Sequence, residues 1–407
     1  MKSTTVLAGL NVETLGARVF GVGGLRERLE GLHDLRQRKG RRYDLATVLV
    51  LIVLAKLSGE DQPSGIASWI ALRQSQLSQV LALNWERMPQ HNTMAGGEPP
   101  ADRRILAWAI DSAEFDRVVT GHLQQLTGVG RSVLVSLDGK TVRGTIDADN
   151  PRGEHLLALY LPEEGIVLAQ EAAESHENEI VAAPRLLKGV NLRRKVVMGD
   201  AMQTQREFTL QILAAKANYI WFVKDNQHKL HDSIETLFAP DQPTVLATLL
   251  PNDFKQARTV EKSHGRLETR QLTASSSLQG YADWPGLPRV FRLERTRTNI
   301  KTGKVSAKVV YGITSLSAKS ASPRRLLQLT RSYWGIENGL HWRRDVTFRE
   351  DQTRLTQGQA GRVIATLNNL AISLLRYNGH TNIAEARRES NANLNLPLSL
   401  LAARSVS

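Results

Sequence analysis

Cysteine is absent from the sequence. This excludes disulfide staples, thiolate zinc sites and cysteine nucleophiles, and leaves any metal to carboxylate, imidazole or carbonyl groups. Long apolar runs are absent too. The most apolar stretch, Leu45 to Ala55, stays uncharged only until Lys56, short of the ~20 residues that a membrane span needs, and reads as a buried helix. Met1-Lys2-Ser3-Thr4-Thr5 adjoins no apolar core of signal-peptide length, so the expectation is a cytoplasmic protein without membrane association. No internal repeat is visible.

Acidic residues are the minority charge. Lys and Arg outnumber Asp and Glu by 53 to 40, a formal net charge of +13 with an isoelectric point near 10.0, and that excess in a soluble protein points to a polyanionic partner, usually nucleic acid. At 407 residues, 41% hydrophobic and 23% charged, the chain is long enough for two or three folded domains and lacks the composition of a disordered one.

Apolar residues recur at three- and four-residue steps through Leu45–Leu57, Ile66–Leu83 and Ile105–Leu126, which predicts an N-terminal helical domain over 1–126. Its basic cluster Arg36, Arg38, Lys39, Arg41 and Arg42 reads equally as a phosphate contact or a solvated loop. Gly96-Gly97 and Pro99-Pro100 break the pattern as a loop. After Gly130 come short β-branched runs at Ser132–Leu137, Leu156–Leu161, Ile166–Ala169, Lys195–Met198 and Tyr219–Val223, with helical stretches at Ala183–Lys188 and Gln205–Ala217. They predict a mixed sheet flanked by helices, an α/β class, over 127–228. Residues 229–320 read as a β-rich insertion. The α/β part resumes over 321–380 with a helix opened by Ser322-Pro323 and a second over Gly361–Tyr377, and 381–407 reads as a polar tail.

Asp138 directly follows the run Val133-Leu134-Val135-Ser136-Leu137, and Asp200 directly follows Lys195-Val196-Val197-Met198-Gly199. Each carboxylate is thereby placed at a strand end, where rigid backbone can aim it, although a turn or helix cap explains either one alone. On the helix from Pro323, the residues Thr330, Tyr333, Glu337, His341 and Arg344 share one face, and Leu329, Ile336 and Leu340 form the apolar stripe beside it. Three such acids suit magnesium or manganese, which take oxygen ligands and, as a pair about 4 Å apart, serve both oxygens of a phosphodiester displacement.

These residues and their surroundings resemble the insertion-sequence transposases of the Asp-Asp-Glu type, most closely the H-repeat-associated group. The anchors are Leu137-Asp138-Gly139-Lys140 with Arg143-Gly144; Asn178-Glu179-Ile180 with Pro184; Gly199-Asp200-Ala201-Met202 with Gln205; Lys224-Asp225-Asn226-Gln227; His264-Gly265-Arg266 with Glu268 and Arg270; and Tyr333-Trp334-Gly335-Ile336-Glu337-Asn338 with Leu340-His341-Trp342, then Asp345-Val346, Phe348 and Glu350-Asp351. The resemblance implies a ribonuclease-H-like core with a largely β insertion. It also implies Mg2+-dependent cleavage (Mn2+ as alternative) of double-stranded DNA at the element's terminal inverted repeats and strand transfer into target DNA, with Asp138, Asp200 and Glu337 as the acids. No nucleotide cofactor is implied, and a homodimer is expected because two ends must be joined.

Related transposases carry Tyr, Arg and Lys around the glutamate where this chain has Thr330, Tyr333 and Arg344, so only the basic position survives, in altered form. Lys140, Arg143, Lys224, His341 and Arg344 are the candidate DNA contacts. His176, Glu177 and Glu179 suit metal by type but lie in a polar stretch, and Trp334 and Trp342 read as base-stacking or core aromatics. The alternatives are a related nuclease that hydrolyses without strand transfer, and a decayed transposase that only binds DNA.

Overall fold

The computed structural model describes residues 24–95, 105–126, 128–174, 177–239, 253–263 and 265–402. They fall into two compact units, one within 1–132, 139–178 and 336–407, the other of 133–138 and 179–335. The Gly96–Pro100 loop lies outside the described residues.

The first unit opens with α1 (Leu25–Glu30) and α2 (Leu45–Leu57). The Asp44 side chain caps α2 by accepting from Thr47 N at 2.8 Å, and all of its residues are buried, as a helix apolar all round must be. Even Lys56 is buried, with Asp61 at 3.6 Å and the Phe348 ring at 5.7 Å. α3 (Pro63–Leu72) starts on proline, α4 (Gln74–Val80) and α5 (His91–Ala95) follow, Ile105–Ala109 forms a wide π turn, and α6 (Ser112–Gln124) is capped by Asp111. The basic cluster is only partly a surface feature. Arg36 is 3% exposed and gives its guanidinium to Asp34 and to the Tyr43 carbonyl, so it is a structural residue, whereas Arg38, Lys39 and Arg42 remain exposed.

β1 (Leu134–Val142) starts in the second unit and ends in the first. It continues past Asp138, so the aspartate stands inside a strand instead of at its end: Lys140 and Val142 are buried and extend the pairing beyond Gly139. β2 (Glu154–Leu161) and β3 (Ile166–Ala173) form an antiparallel hairpin in the first unit.

The second unit continues with α7 (Glu179–Leu186), β4 (Val196–Gly199), α8 (Arg206–Ala214), β5 (Asn218–Val223), α9 (His228–Leu237) and four long strands, β6 (Lys255–Ser263), β7 (Arg266–Ser275), β8 (Arg289–Asn299) and β9 (Val305–Thr314). Its sheet has the order β1-β4-β5-β9-β8-β7-β6. The β1-β4-β5 part is parallel and the remainder antiparallel, a mixed α/β architecture whose sheet is mostly antiparallel. α10 (Pro323–Tyr333) is capped by Ser322 and lays Leu326, Leu327, Leu329 and Tyr333 against Leu134, Met198, Phe222, Leu272, Phe291 and Leu293. Within its last three residues α10 is tied to both ends of that sheet. The Ser136 hydroxyl of β1 donates to the Tyr333 carbonyl at 3.3 Å, and Arg331 pairs with Glu261 of β6. The sheet therefore curls around the helix.

In the first unit, α11 (Ala360–Tyr377) packs among α2, α6 and β3, and the segment read as a polar tail forms α12 (Ile383–Ala392) and α13 (Asn395–Leu401). Ile383, Ala386, Leu398, Leu400 and Leu401 join the same core as α2 and α11, so the tail reading is corrected as far as residue 402: widely spaced apolar residues suffice when the rest of the core already exists.

His122 in α6 is fully buried, and neither ring nitrogen has a hydrogen-bond partner among the described residues. Burial, with Arg28 nearby, pushes its imidazole down to about 4. Because the unfolded chain takes up a proton there near pH 6.5 and the folded chain does not, this site's contribution is intact above that pH and is lost as pH falls toward 4. A His122→Phe variant should be at least as stable as the parent at pH 7 and lose less stability between pH 6.5 and 4, read from urea-unfolding midpoints at both ends.

Candidate active site

Two of the expected acids, Asp138 and Asp200, lie in the second unit. Ser136 of β1 pairs with Met198 of β4 in a parallel register; Asp138 lies two residues further along β1, and Asp200, two residues beyond Met198, directly follows β4. Alternation puts both on the face of Leu134, Ser136, Val196 and Met198, the face that α10 covers. Neighbouring strands lie about 4.8 Å apart. Both residues are half-buried.

The loop after Asp200 is held on several sides. One Asp200 oxygen accepts from Met202 N at 2.8 Å, so the helix-cap reading is also correct, and it leaves the second oxygen for a ligand. Gln203, 2% exposed, donates to Glu179 at 2.9 Å. Asn226 donates to the Ala201 carbonyl at 2.7 Å and Gln227 to the Thr204 carbonyl at 2.9 Å. The Lys224-Asp225-Asn226-Gln227 and Asn178-Glu179 motifs are thus clamps on this loop, a role that sequence reading did not give them, and His176 lies outside the described residues. Lys224 itself is exposed, just beyond β5 at the same sheet end as Asp200.

Glu337 lies in the first unit and is exposed. The expected regular helix does not run through it. α10 ends at Tyr333, and the turns that follow are π-helical over Glu337–His341 and Arg343–Thr347, with Phe348 N bonded to the Arg343 carbonyl at 2.9 Å. The single face from Thr330 to Arg344 is therefore broken up, because a five-residue hydrogen-bond step rotates side chains away from a 3.6-residue stripe. Thr330 and Tyr333 are buried, and so is the stripe Leu329, Ile336 and Leu340.

The remaining basic candidates of the first unit sit in one network. Lys140 contacts Asp345 at 2.6 Å and Asp351 at 3.7 Å, and Arg143 N donates to Asp351 at 2.9 Å. The approach requires Gly144: a Cβ there would stand 3.0 Å from the Glu350 carbonyl. Arg344 has no solvent exposure and donates Nε to both Glu350 oxygens at 3.0 and 2.9 Å, while Nη2 stands 2.8 Å from one of them as an ion pair without hydrogen-bond geometry. Its reading as a phosphate clamp is corrected, since the guanidinium neutralises a carboxylate with no exposure of its own. Burial alone would raise the Glu350 carboxyl, but the Arg344 charge and hydrogen bonds from Arg344 and Asn368 hold it below the usual carboxylate range. His341 is 9% exposed, and burial, then the charges of Arg344, Lys140 and His155, push its imidazole down to about 3; it is neutral near pH 7 and no cationic phosphate contact. Trp334 and Trp342 are exposed, outside any core.

Sequence reasoning gave Asp345, Glu350 and Asp351 no role, although the resemblance quoted all three. Their ligand oxygens lie within 4.8 Å of one another, but Arg344 and Lys140 already balance them.

A family model described as "Transposase DDE domain" matches residues 130–374. The chain belongs to the DDE transposase family. A second model of this group, described as DDE_Tnp_1-associated, matches residues 26–123. "Putative transposase YncI" of Escherichia coli O157:H7 is 29% identical over 364 residues, 88% of this chain and 88% of that one. "H repeat-associated putative transposase YhhI" of Escherichia coli strain K12 is 25% identical over 356 residues, 86% and 90% of the two chains. A Xanthobacter autotrophicus protein described as "Uncharacterized protein in dhlA 3'region" is 31% identical over 288 residues, 70% of this chain and 91% of that one. The resemblance drawn from the motifs is borne out at the level of the DDE transposase family and its H-repeat-associated relatives. No helix among the described residues is long and apolar enough to cross a membrane.

The buried Arg344–Glu350 pair in this transposase gives a sharp stability test. Glu350→Ala leaves a guanidinium buried without its anion and should cost about 3–5 kcal/mol, while Arg344→Met with Glu350→Leu together should recover most of that loss. Chemical unfolding of the parent, both single variants and the double variant checks it.

Proposed function

We propose that this chain is an insertion-sequence transposase in which Asp138, Asp200 and Glu337 bind divalent magnesium, or manganese, for DNA cleavage at the element's ends and strand transfer into target DNA. The observation that supports the reading is the β1–β4 register, in which Ser136 pairs with Met198, each two residues before one of these aspartates. The donor set fits the metal: carboxylate oxygens are the ligands these hard ions take. Bound metal would activate the attacking water or 3′-hydroxyl and stabilise the leaving oxygen of the phosphodiester.

The chain's own residues do the rest. The Gln203–Glu179, Asn226–Ala201 and Gln227–Thr204 bonds keep Asp200 aimed. Lys140 and Arg143 on the first unit and Lys224 on the second supply positive charge for DNA phosphates, with Arg344 and His341 supporting from within. On this reading the functional segments are an associated helical segment over 1–126, a ribonuclease-H-like core over 127–228 and 321–380, a strand-rich insertion over 229–320, and a C-terminal segment over 381–407. Two protomers, one per DNA end, make the active assembly, and the cytoplasm is its place.

Incubation with DNA carrying the element's terminal repeats should give nicking and strand transfer in magnesium and none in EDTA. Asp138→Asn, Asp200→Asn and Glu337→Gln should each lose at least about a thousandfold in cleavage, as removal of one member of a catalytic unit does. Gln203→Ala should lose about 10- to 100-fold, as for other residues that orient ligands. Unchanged cleavage in Asp138→Asn would refute the assignment. Salt-sensitive binding without cleavage by the parent would mark the chain as a DNA-binding relative, and hydrolysed ends without joined products as a nuclease.

A further inference from the structure

The four long strands of the second unit carry an arrangement that the acids do not explain. Arg270 of β7 pairs with Arg295 of β8, and Arg295 with Lys308 of β9, so three cations stand side by side across neighbouring strands. Side chains so paired are about 5 Å apart, and like charges there destabilise a sheet. The next row outward adds Arg297, opposite Glu268. Glu268 and Glu261 are taken up by Arg270, Arg297 and Arg331. Arg295 and Lys308 make no ion pair among the described residues, and Lys308 is exposed. Burial, and after it the charge of Arg297, shift the Arg295 guanidinium downward, with Glu268 opposing the shift and Arg270 adding to it. Arg270 has anions of its own, so it is the Arg295 and Lys308 part of the row, which costs stability and has no ion pair among the described residues, that is suited to an external anion.

Its direction identifies the anion. Register carries one face across the whole sheet: Ile220 and Phe222 pair with Thr314 and Gly312, Gly312 with Phe291, and Phe291 with Ala274. The face of Leu134 and Met198 is thereby the face of Phe291 and Leu293, on which Asp138, Asp200, Arg295 and Lys308 all stand. Beyond Leu293 the next side chain on that face is Arg295. Since the sheet curls around α10, joined to β1 through Tyr333 and to β6 through Arg331, the cationic row is turned toward the acid pair. The opposite face at the same height carries Val260, Thr269, Thr296 and Ala307 and offers no such row.

We propose that Arg270, Arg295 and Lys308, with Arg297 behind them, bind the sugar–phosphate backbone of DNA and hold a strand along the curled sheet beside Asp138 and Asp200. The proposal rests on the reading of the chain as a DNA-processing protein. Phosphate binding offsets the cross-strand repulsion, so the row is unstable alone and satisfied when loaded.

The test is DNA binding by the full chain, read by fluorescence anisotropy of a labelled duplex in EDTA over a series of salt concentrations, so that it does not depend on cleavage. Arg295→Gln with Lys308→Gln should weaken binding about tenfold or more and lower the salt slope by about two, one for each phosphate no longer neutralised. The melting temperature should be unchanged or higher, because repulsion is relieved. Arg258→Gln with Lys262→Gln, the same charge change on the opposite face, should move the slope less, and Arg295→Lys with Lys308→Arg should bind as the parent does. Asp138→Asn should bind normally, which separates this proposal from the catalytic one. Equal losses on the two faces, an unchanged salt slope, or a fall in affinity together with a fall in melting temperature would overturn it.

Discussion

Like charges held close repel, and the second unit is organised around that constraint. The register of β1 on β4 sets the residues just before Asp138 and Asp200 side by side on one face, and like charges held near each other repel. A flexible loop would relax by swinging them apart. Here Asp138 is inside a strand, and the loop after Asp200 is tied to α7 by Gln203 and to the segment after β5 by Asn226 and Gln227. Backbone ordered in advance in this way is what the proposed cation site would require.

The first unit meets the same constraint by the opposite route, pairing its charges internally. Glu350 is satisfied by Arg344 and Asn368, Asp345 and Asp351 by Lys140, and Asp61 by Lys56 and Arg387, the last also donating to the Lys56 and Thr347 carbonyls. Phe348 lies between the two cations of this last group, 5.7 Å from Lys56 and 4.1 Å from the Arg387 guanidinium carbon. Buried pairs of this kind contribute little net stability but are costly to break singly, so they fix which segments meet.

The legible features were those with strong local periodicity. The apolar helix Leu45–Leu57, the helix to Tyr377 and the strand cores around Val196–Met198 and Tyr219–Val223 were all readable from spacing. Tertiary context hid the rest. Nothing local says that β1 continues beyond Asp138, because Gly139 looks like a stop, and only pairing carries the strand on. The π turns after Tyr333 keep a helical composition while changing the period, so a face drawn at 3.6 residues per turn mixes buried and exposed positions. Arg344 looks like a free cation until Glu350, six residues later, folds back onto it. The α12–α13 segment has too few apolar residues to be a helix by pattern, yet enough to close a core built by others.

Cross-strand rows belong to the same class of hidden feature, since Arg270, Arg295 and Lys308 are far apart in sequence and meet only through register. Their placement and that of Asp138 and Asp200 follow from one sheet, with one face, curled around one helix. Anions at one end and cations two rows further out on the same face are the pattern that the proposed ligand, a repeating polyanion held by metal at one bond, would match: on that reading phosphates beyond the bond would meet the basic row, and the mutual repulsion within each set would be relieved by its own counter-charge.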